Sequence, residues 1–377
     1  MSQAQAKPHV KVPMLDLSGQ NGPLQVAIAK AMDEVIRTNH FVMGPQVETF
    51  EKQVAQYLGV KHAIGVSSGT DALLAALMAI GIQPGDEVIT TPFTFFASAS
   101  SVARLNARPV FVDIEPDTFN IDPQLIEEAI TKKTRAILPV HLFGQSAEMD
   151  PILEIANRHG LTVIEDAAQA IGTKYKGRKV GGIGQIGCFS FYPTKNLGCF
   201  GDAGLMTTND DELAHMCRLM RIHGMEPRYF HKYIGGNFRI DTLQAAVLLV
   251  KLPHLEKWHE GRRRNAAFYD RALADLPIVR PAVRPYNYSI YNQYTVRVPG
   301  GKRDALRQHL SSAGIGTDIY YPVPLHAQEC FAHLGYREGD LPHSEAAARE
   351  VLSLPIYPEL TQEQLQHVAD TIKGFYR

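Results

Sequence analysis

Cysteine is scarce in this chain. Its four residues, Cys188, Cys199, Cys217 and Cys330, lie far apart, and none forms a Cys-x-x-Cys pair. That spacing argues against a zinc site or a disulfide framework, and reduced thiols suit a cytoplasmic protein. An excess of one charge is also missing. The formal net charge is −1, so no global field draws the chain to nucleic acid or to an anionic membrane surface. No apolar run approaches the ~18 residues that a membrane helix needs. The opening stretch MSQAQAKPHVKVPML lacks the apolar centre of a signal peptide. Repeats and low-complexity segments are absent as well. What remains is an ordinary globular composition, 45% hydrophobic and 20% charged. A length of 377 residues suggests one large domain and one smaller one.

The organisation that is present is alternation. Residues 24–38 carry a helical pattern, with Pro23 suited to a first helical position, and 45–58 carry a second. The strand-like run His62–Val66 meets Ser67-Ser68-Gly69-Thr70, after which Leu73, Leu74, Leu77 and Met78 recur at helical spacing. Glu87–Thr91 then reads as a strand, Thr94–Leu105 as a helix, Pro109–Ile114 as a strand and Asp122–Ile130 as a helix. Arg135–Val140, Pro151–His159 and Leu161–Glu165 continue the series. Short apolar strands alternating with helices predict an α/β fold, a mostly parallel central sheet flanked by helices. Near 187–208 the pattern changes. Cys188–Tyr192 and Leu205–Thr208 read as strands joined by a glycine-rich loop, with no helix between them. Helices are expected at 211–222 and 241–275. Beyond the irregular stretch Pro281–Tyr288, a strand at Tyr294–Val298 and helices at Arg303–Ala313 and Thr361–Tyr376 predict a smaller α+β C-terminal domain. The boundary is placed inside the long helical stretch, giving a large domain over 1–260 and a small one over 261–377.

Two residues carry the chemistry. Asp166 ends the apolar strand Leu161-Thr-Val-Ile-Glu-Asp, and strand C-termini in open α/β sheets face the ligand crevice. Alone it reads as a turn or helix-cap aspartate. Lys195 follows the strand Cys188-Phe-Ser-Phe-Tyr and alone reads as a solvated loop lysine. Together they match the needs of pyridoxal phosphate (PLP) chemistry. A lysine holds the aldehyde as a Schiff base, and a carboxylate keeps the ring nitrogen protonated so that the ring can act as an electron sink. A phosphate cradle is also at hand. Gly69 and Thr70 open a helix directly after a strand, where free amides and the positive helix end favour an anion. Ser190 offers a further donor. Phe95 has two readings, a ring that stacks on the pyridine or a core aromatic.

The ordered motifs extend this. Val163-Ile-Glu-Asp-Ala-Ala-Gln169, Phe189-Ser-Phe-Tyr-Pro-Thr-Lys-Asn-Leu-Gly198, Ser68-Gly-Thr-Asp-Ala-Leu73, His141-Leu-Phe-Gly144, Asn237-Phe-Arg-Ile-Asp241 and Tyr321-Pro-Val-Pro-Leu-His326 closely resemble the sugar-nucleotide aminotransferases of the DegT/StrS group. The similarity runs from Leu15-Asp16-Leu17 to Leu352-Ser-Leu-Pro355. The resemblance implies a fold-type I PLP-dependent transferase and a homodimer with active sites at the interface. It implies Lys195 as the Schiff-base lysine and acid/base, Asp166 as partner of the ring nitrogen, Gln169 on the ring 3-hydroxyl and Phe95 as the stacking aromatic. Gly69, Thr70 and Ser190 match phosphate-binding positions. Asn237 matches an asparagine that reaches the phosphate from the other subunit. Tyr321 and His326 fall in a substrate-side loop, and His141 is shared with the family without a derivable role. Dehydrating relatives carry histidine where this chain has Lys195, so transamination is favoured.

The run Asn196-Leu-Gly-Cys-Phe-Gly-Asp202-Ala-Gly204 resembles that of relatives acting at C3 of a sugar nucleotide. Those acting at C4 more often carry a threonine-rich stretch ending in Glu-Gly-Gly. The expected reaction moves an amino group from L-glutamate to a UDP- or dTDP-linked 3-keto sugar. A 4-keto sugar, an ordinary amino acid substrate, a tight turn with no bearing on regiochemistry, and a regulator without catalysis are the competing readings.

Overall fold

The computed structural model describes residues 10–377. A short turn α1 (Ser18–Asn21) leads into α2 (Gln25–Thr38) and α3 (Pro45–Leu58). Pro45 opens α3 where its missing N–H costs nothing, and Gly59 closes it in the left-handed region at φ 75°. Then come β1 (His62–Val66), α4 (Gly69–Ala79), β2 (Glu87–Thr90), α5 (Ala97–Ala103), β3 (Arg108–Phe111), β4 (Thr134–Ile137), α6 (Met149–His159) and β5 (Thr162–Asp166). A small hairpin, β6 (Lys174–Tyr175) and β7 (Arg178–Lys179), precedes β8 (Ile186–Ser190) and β9 (Gly204–Thr208). Helices α7 (Asp211–Arg221), α8 (Thr242–Lys251) and α9 (Leu255–Ala272) follow. The C-terminal part holds β10 (Asn287–Tyr288), β11 (Tyr294–Arg297), α10 (Arg303–Ser312), α11 (Pro342–Glu350), β12 (Val351–Leu354) and α12 (Gln362–Phe375).

Seven strands form the central sheet in the order β1-β9-β8-β5-β4-β2-β3. The pairs from β8 to β3 are parallel, and β9 runs antiparallel to both its neighbours. The sheet is therefore mostly parallel, with the expected helix-free strand pair at β8 and β9. Alternation along each strand sends successive residues to opposite faces. Ile64, Ile164 and Met206 pack under α4 and α7. Val163 packs with Ile152 of α6, and Ala63 and Leu205 with Phe50 of α3 and Leu248 of α8. A separate cluster joins β11 and β12 to α10, α12 and the end of α9, and takes in Val12 from the start of the described chain.

Two expectations fail locally. Residues 122–130 are not one helix but two 3-10 turns, Pro123–Leu125 and Glu127–Ala129. Ile130 is already extended, so the run ends before α-type bonds can propagate. The stretch 241–275 is two α-helices, because Pro253 supplies no amide and the chain tightens into a 3-10 turn over Leu252–His254. A boundary at residue 260 falls inside α9, which runs unbroken from one part of the chain to the other. Among the described residues no helix is long and apolar enough to cross a membrane, and all four cysteines are free thiols.

Candidate active site

The site lies along the C-terminal edge of the central sheet. Asp166 is the last residue of β5 and Ser190 the last of β8. Gly204, at the start of antiparallel β9, reaches the same edge and pairs with both Ser190 and Val66. These strand ends, with the loops after β1 and β2, enclose a cavity of about 590 Å³ lined by Gly69, Thr70, Phe95, Asp166, Gln169 and Lys195, with Ser190 and Tyr321 completing the wall.

At one end of the cavity α4 points its N-terminus inward. Ser68 caps the helix, its Oγ accepting from the Asp71 amide at 3.0 Å. The amides of Gly69 and Thr70, the first two of the helix, have no intrahelical acceptor. A Cβ on Gly69 would stand 2.7 Å from the Ser190 Cβ, so only glycine lets the helix come this close to the end of β8. A Cβ on Gly204 would stand 2.3 Å from the Ser68 carbonyl oxygen. The result is a concave patch of free amides beside a serine hydroxyl, which suits a phosphate group.

At the other end Asp166 is buried. Its Oδ2 accepts from Ser98 Oγ at 2.7 Å and its Oδ1 from the Ala168 amide at 3.1 Å. Burial pushes its carboxyl up, while Ser98, the Ala168 amide and the nearby Lys195 charge pull the other way. Lys195 is half-buried. Burial lowers its amine from 10.5 to about 8, against the opposing pull of Asp166, so a free base is accessible near neutral pH. Gln169 is fixed from both ends: its Oε1 accepts from the Phe143 amide at 2.7 Å and its Nε2 donates to Tyr321 Oη at 3.0 Å. Its second N–H is uncommitted. Phe95 is 57% exposed, which excludes the core reading, and its ring lies 6.4 Å from that of Tyr321. The free amides, the close-approach glycine and the acid–amine pair together fit PLP.

Two of the sequence candidates are not in this cavity. Asn237 is exposed and sits on the segment that bridges back to Ile222. His326 is buried, with Nε2 3.3 Å from Glu345 Oε1, and it borders a separate cavity of about 290 Å³. His141 is explained by its contacts. Its Nδ1 accepts from the Ala147 amide at 3.1 Å, which leaves Nε2 to donate to Glu165 at 3.0 Å. Glu165 also accepts from the amides of Gly181, Ile183 and Gly184. Despite full burial, these donors hold its carboxyl below the usual range, and the pair anchors β5 from behind the site.

The chain matches the DegT/DnrJ/EryC1/StrS aminotransferase family over residues 24–373. It belongs to that family. As a member it is an aminotransferase, and its cofactor is PLP. Among curated relatives, the "Pleiotropic regulatory protein" of Geobacillus stearothermophilus is 54% identical over 98% of this chain and 99% of its own. The "dTDP-3-amino-3,4,6-trideoxy-alpha-D-glucose transaminase" of Streptomyces venezuelae is 45% identical over 96% of each. The "UDP-2-acetamido-2-deoxy-3-oxo-D-glucuronate aminotransferase" of Pseudomonas aeruginosa is 44% identical over 93% of this chain and 96% of its own. The crystal structure of S. venezuelae DesV with a ketimine intermediate superposes with a TM-score of 0.95 at 44% identity, covering 97% of this chain and 99% of that one. Ntda of Bacillus subtilis, with bound cofactor PMP, superposes at 0.91 and 35% identity, covering 98% and 86%.

Some residues at the site were not individually assigned a role from the sequence. Ser98 reaches Asp166, yet a small hydroxyl inside a short helix has no signature of its own. Thr194 and Tyr192 flank Lys195 in the cavity wall, and Gln293 and Tyr320 arrive from the C-terminal part. Asp202 also lines the cavity. Its loop is clamped from α8, where Gln244 accepts from the Phe200 amide at 2.8 Å and donates to the Phe200 carbonyl at 3.1 Å.

Proposed function

We propose that this aminotransferase moves an amino group from L-glutamate to C3 of a 3-keto sugar carried on UDP or dTDP, in a ping-pong cycle with Lys195 as acid and base. The observation that carries the reading is one cavity in which the Lys195 amine, the Asp166 carboxylate and the free amides of Gly69 and Thr70 converge. When bound, PLP supplies an aldehyde that takes the amino group and a protonated ring that draws off electron density as a C–H bond breaks.

The chain's own residues do the rest. Gly69, Thr70 and Ser190 would hold the phosphate at the positive end of α4. Phe95 would cover one face of the ring. Asp166 would keep the ring nitrogen protonated, and the uncommitted N–H of Gln169 would be free for the ring 3-hydroxyl oxygen. Lys195 Nζ takes the proton from the α-carbon of glutamate, which leaves as 2-oxoglutarate, and delivers a proton to the sugar carbon in the second half. Tyr321, held by Gln169, lies on the substrate side. His326 acts on the substrate only through the loop it supports.

The choice of C3 is supported by the 3-amino and 3-oxo sugars in the names of the Streptomyces and Pseudomonas relatives. The clamped loop that holds Asp202 in the cavity wall would fix how the sugar ring lies, whichever carbon reacts, and a displacement of ~1 Å at that carbon costs on the order of a hundredfold. The name of the Geobacillus relative favours a second reading, a regulator, which predicts no amine-dependent turnover at all.

We infer also that two copies share their sites. Lys195 is the one Lys or Arg in the cavity wall among the described residues, yet glutamate and a nucleotide diphosphate are both anionic. The exposed segment with Arg228, Tyr229, Phe230, Lys232 and Ile234 offers cations and apolar surface next to Asn237, and a second copy would bring them to the cavity.

The deciding experiment incubates the PLP-loaded enzyme with isotope-labelled glutamate and the 3-keto and 4-keto isomers of UDP- and dTDP-linked sugars, and locates the nitrogen by NMR. Label at C3 is expected. Label confined to C4 overturns the regiochemistry, and no transfer to any keto sugar overturns the substrate class.

A further inference from the structure

Asp166 is a buried carboxylate with no arginine or lysine within ion-pair distance among the described residues. Its two donors are Ser98 Oγ, at 2.7 Å from Oδ2, and the Ala168 amide, at 3.1 Å from Oδ1. Ser98 is itself fully buried on α5, and its oxygen lies 3.1 Å from Oγ1 of Thr94, 2% exposed. Counting protons gives this chain a direction. A hydroxyl has one proton to give, and an ionised carboxylate can only accept. Ser98 therefore spends its proton on Asp166, and Thr94 must donate to Ser98. Aligned hydrogen bonds of this kind polarise one another. They also pin the carboxylate's rotation.

We propose that Ser98, oriented by Thr94, is a positioning residue for the aminotransferase reaction: it fixes the rotation of the Asp166 carboxylate at the cavity wall. The proposal rests on the reading of Asp166 as partner of the cofactor ring nitrogen. The charged and titratable groups facing Asp166 are Lys195 on the loop after β8, His141 after β4, Cys188 on β8 and Tyr321 from the C-terminal part. Burial pushes the carboxyl up, and Ser98 is the largest counterweight, ahead of the Ala168 amide, Lys195 and His141. Removing the hydroxyl moves the carboxyl further up, so the ionised form is lost at a higher pH.

The test compares holoenzymes of the parent, Ser98→Ala, Ser98→Thr, Thr94→Val and Asp166→Asn. Ser98→Ala is expected to lower kcat about 10- to 100-fold, the range for a hydrogen bond to a charged group, with KM for glutamate within about twofold. The acid limb of its kcat profile is expected at higher pH than the parent's. Ser98→Thr keeps the hydroxyl and should restore most of the rate. Thr94→Val should move the acid limb the same way by less. Independently of turnover, dialysis of the apoprotein against PLP should show affinity falling off at a higher pH in Ser98→Ala. Parental kcat and acid limb in Ser98→Ala, beside an inactive Asp166→Asn, would overturn the role of Ser98 alone. A Ser98→Ala that loses thermal stability and rate with both pH profiles in place would also overturn it, since that is a packing role. Near-parental turnover in Asp166→Asn would instead overturn the reading of Asp166 beneath it.

Discussion

An amine held at about 8 rather than 10.5 gives Lys195 a measurable signature. Burial disfavours the charged form, and the Asp166 carboxylate offsets only part of that cost. The neutral amine is the nucleophile, so the rate at which apoprotein captures PLP should rise with pH through about 8 and level off above it. A solvated lysine would keep rising toward 10.5. In Asp166→Asn the counterweight is lost, and the midpoint should fall below the parent's. Stopped-flow absorbance over a pH series reads both. Lys195→Ala should abolish covalent attachment, and borohydride reduction followed by peptide mapping should place the parent's label on Lys195. Label on another lysine would refute the assignment. Asp166→Asn should leave the fold intact and cost the reaction roughly 3 kcal/mol or more, the scale of a positioned electrostatic group. Turnover within a few-fold of the parent would show that another residue protonates the ring.

Elements bring these residues together, and their packing tolerances can be tested in the same way. Gly69→Ala forces a methyl to 2.7 Å from the Ser190 Cβ. The N-terminus of α4 must back away from β8, a shift of the kind that costs about 1–3 kcal/mol. Because the cradle is built across that contact, PLP affinity should fall about tenfold or more, a larger proportional loss than in the melting temperature; equilibrium dialysis beside thermal unfolding checks this. Much of this edge was legible in the sequence. Strand ends and helix starts announce themselves through apolar alternation and the run Ser67-Ser68-Gly69-Thr70, and a residue at a strand's C-terminus in an α/β sheet has a known direction to face. Legibility failed where the cause was not local. The run 122–130 has helical spacing, but Ile130 turns extended before a full α-turn can repeat. The break at Pro253 was hidden inside continuous helical periodicity on both sides. α11 and β12 gave no periodic signal strong enough to stand out, though β12 completes the small sheet with β11. His141 stayed without a role because its partners, Ala147 and Glu165, are known only once β4 and β5 lie side by side. Ser98 was invisible for the same reason.

At the scale of the whole molecule the remaining question is what completes the cavity. Asn237 is exposed and stands beside a projecting segment in which Tyr229 is 74%, Phe230 68% and Ile234 92% exposed. Adjacent large apolar side chains left in water on a folded chain mark an interaction surface. A symmetric dimer would bury the patch and carry each Asn237 toward the other chain's α4. If so, cofactor binding and association are linked, and loss of Asn237 weakens PLP retention in the partner's site rather than in its own. Complementation separates the two geometries. Lys195→Ala has an intact Asn237 but no amine, and Asn237→Ala has the amine but no amide to lend. In a mixed dimer the site built on the Asn237→Ala chain regains both groups, so an equal mixture that exchanges freely should restore roughly one site in four. At limiting PLP, where each variant alone is nearly inactive, mixing should therefore recover activity. Absence of recovery in dimers shown to be mixed, for example by two affinity tags, would place Asn237 on its own chain's phosphate and remove the support it gives to a shared site.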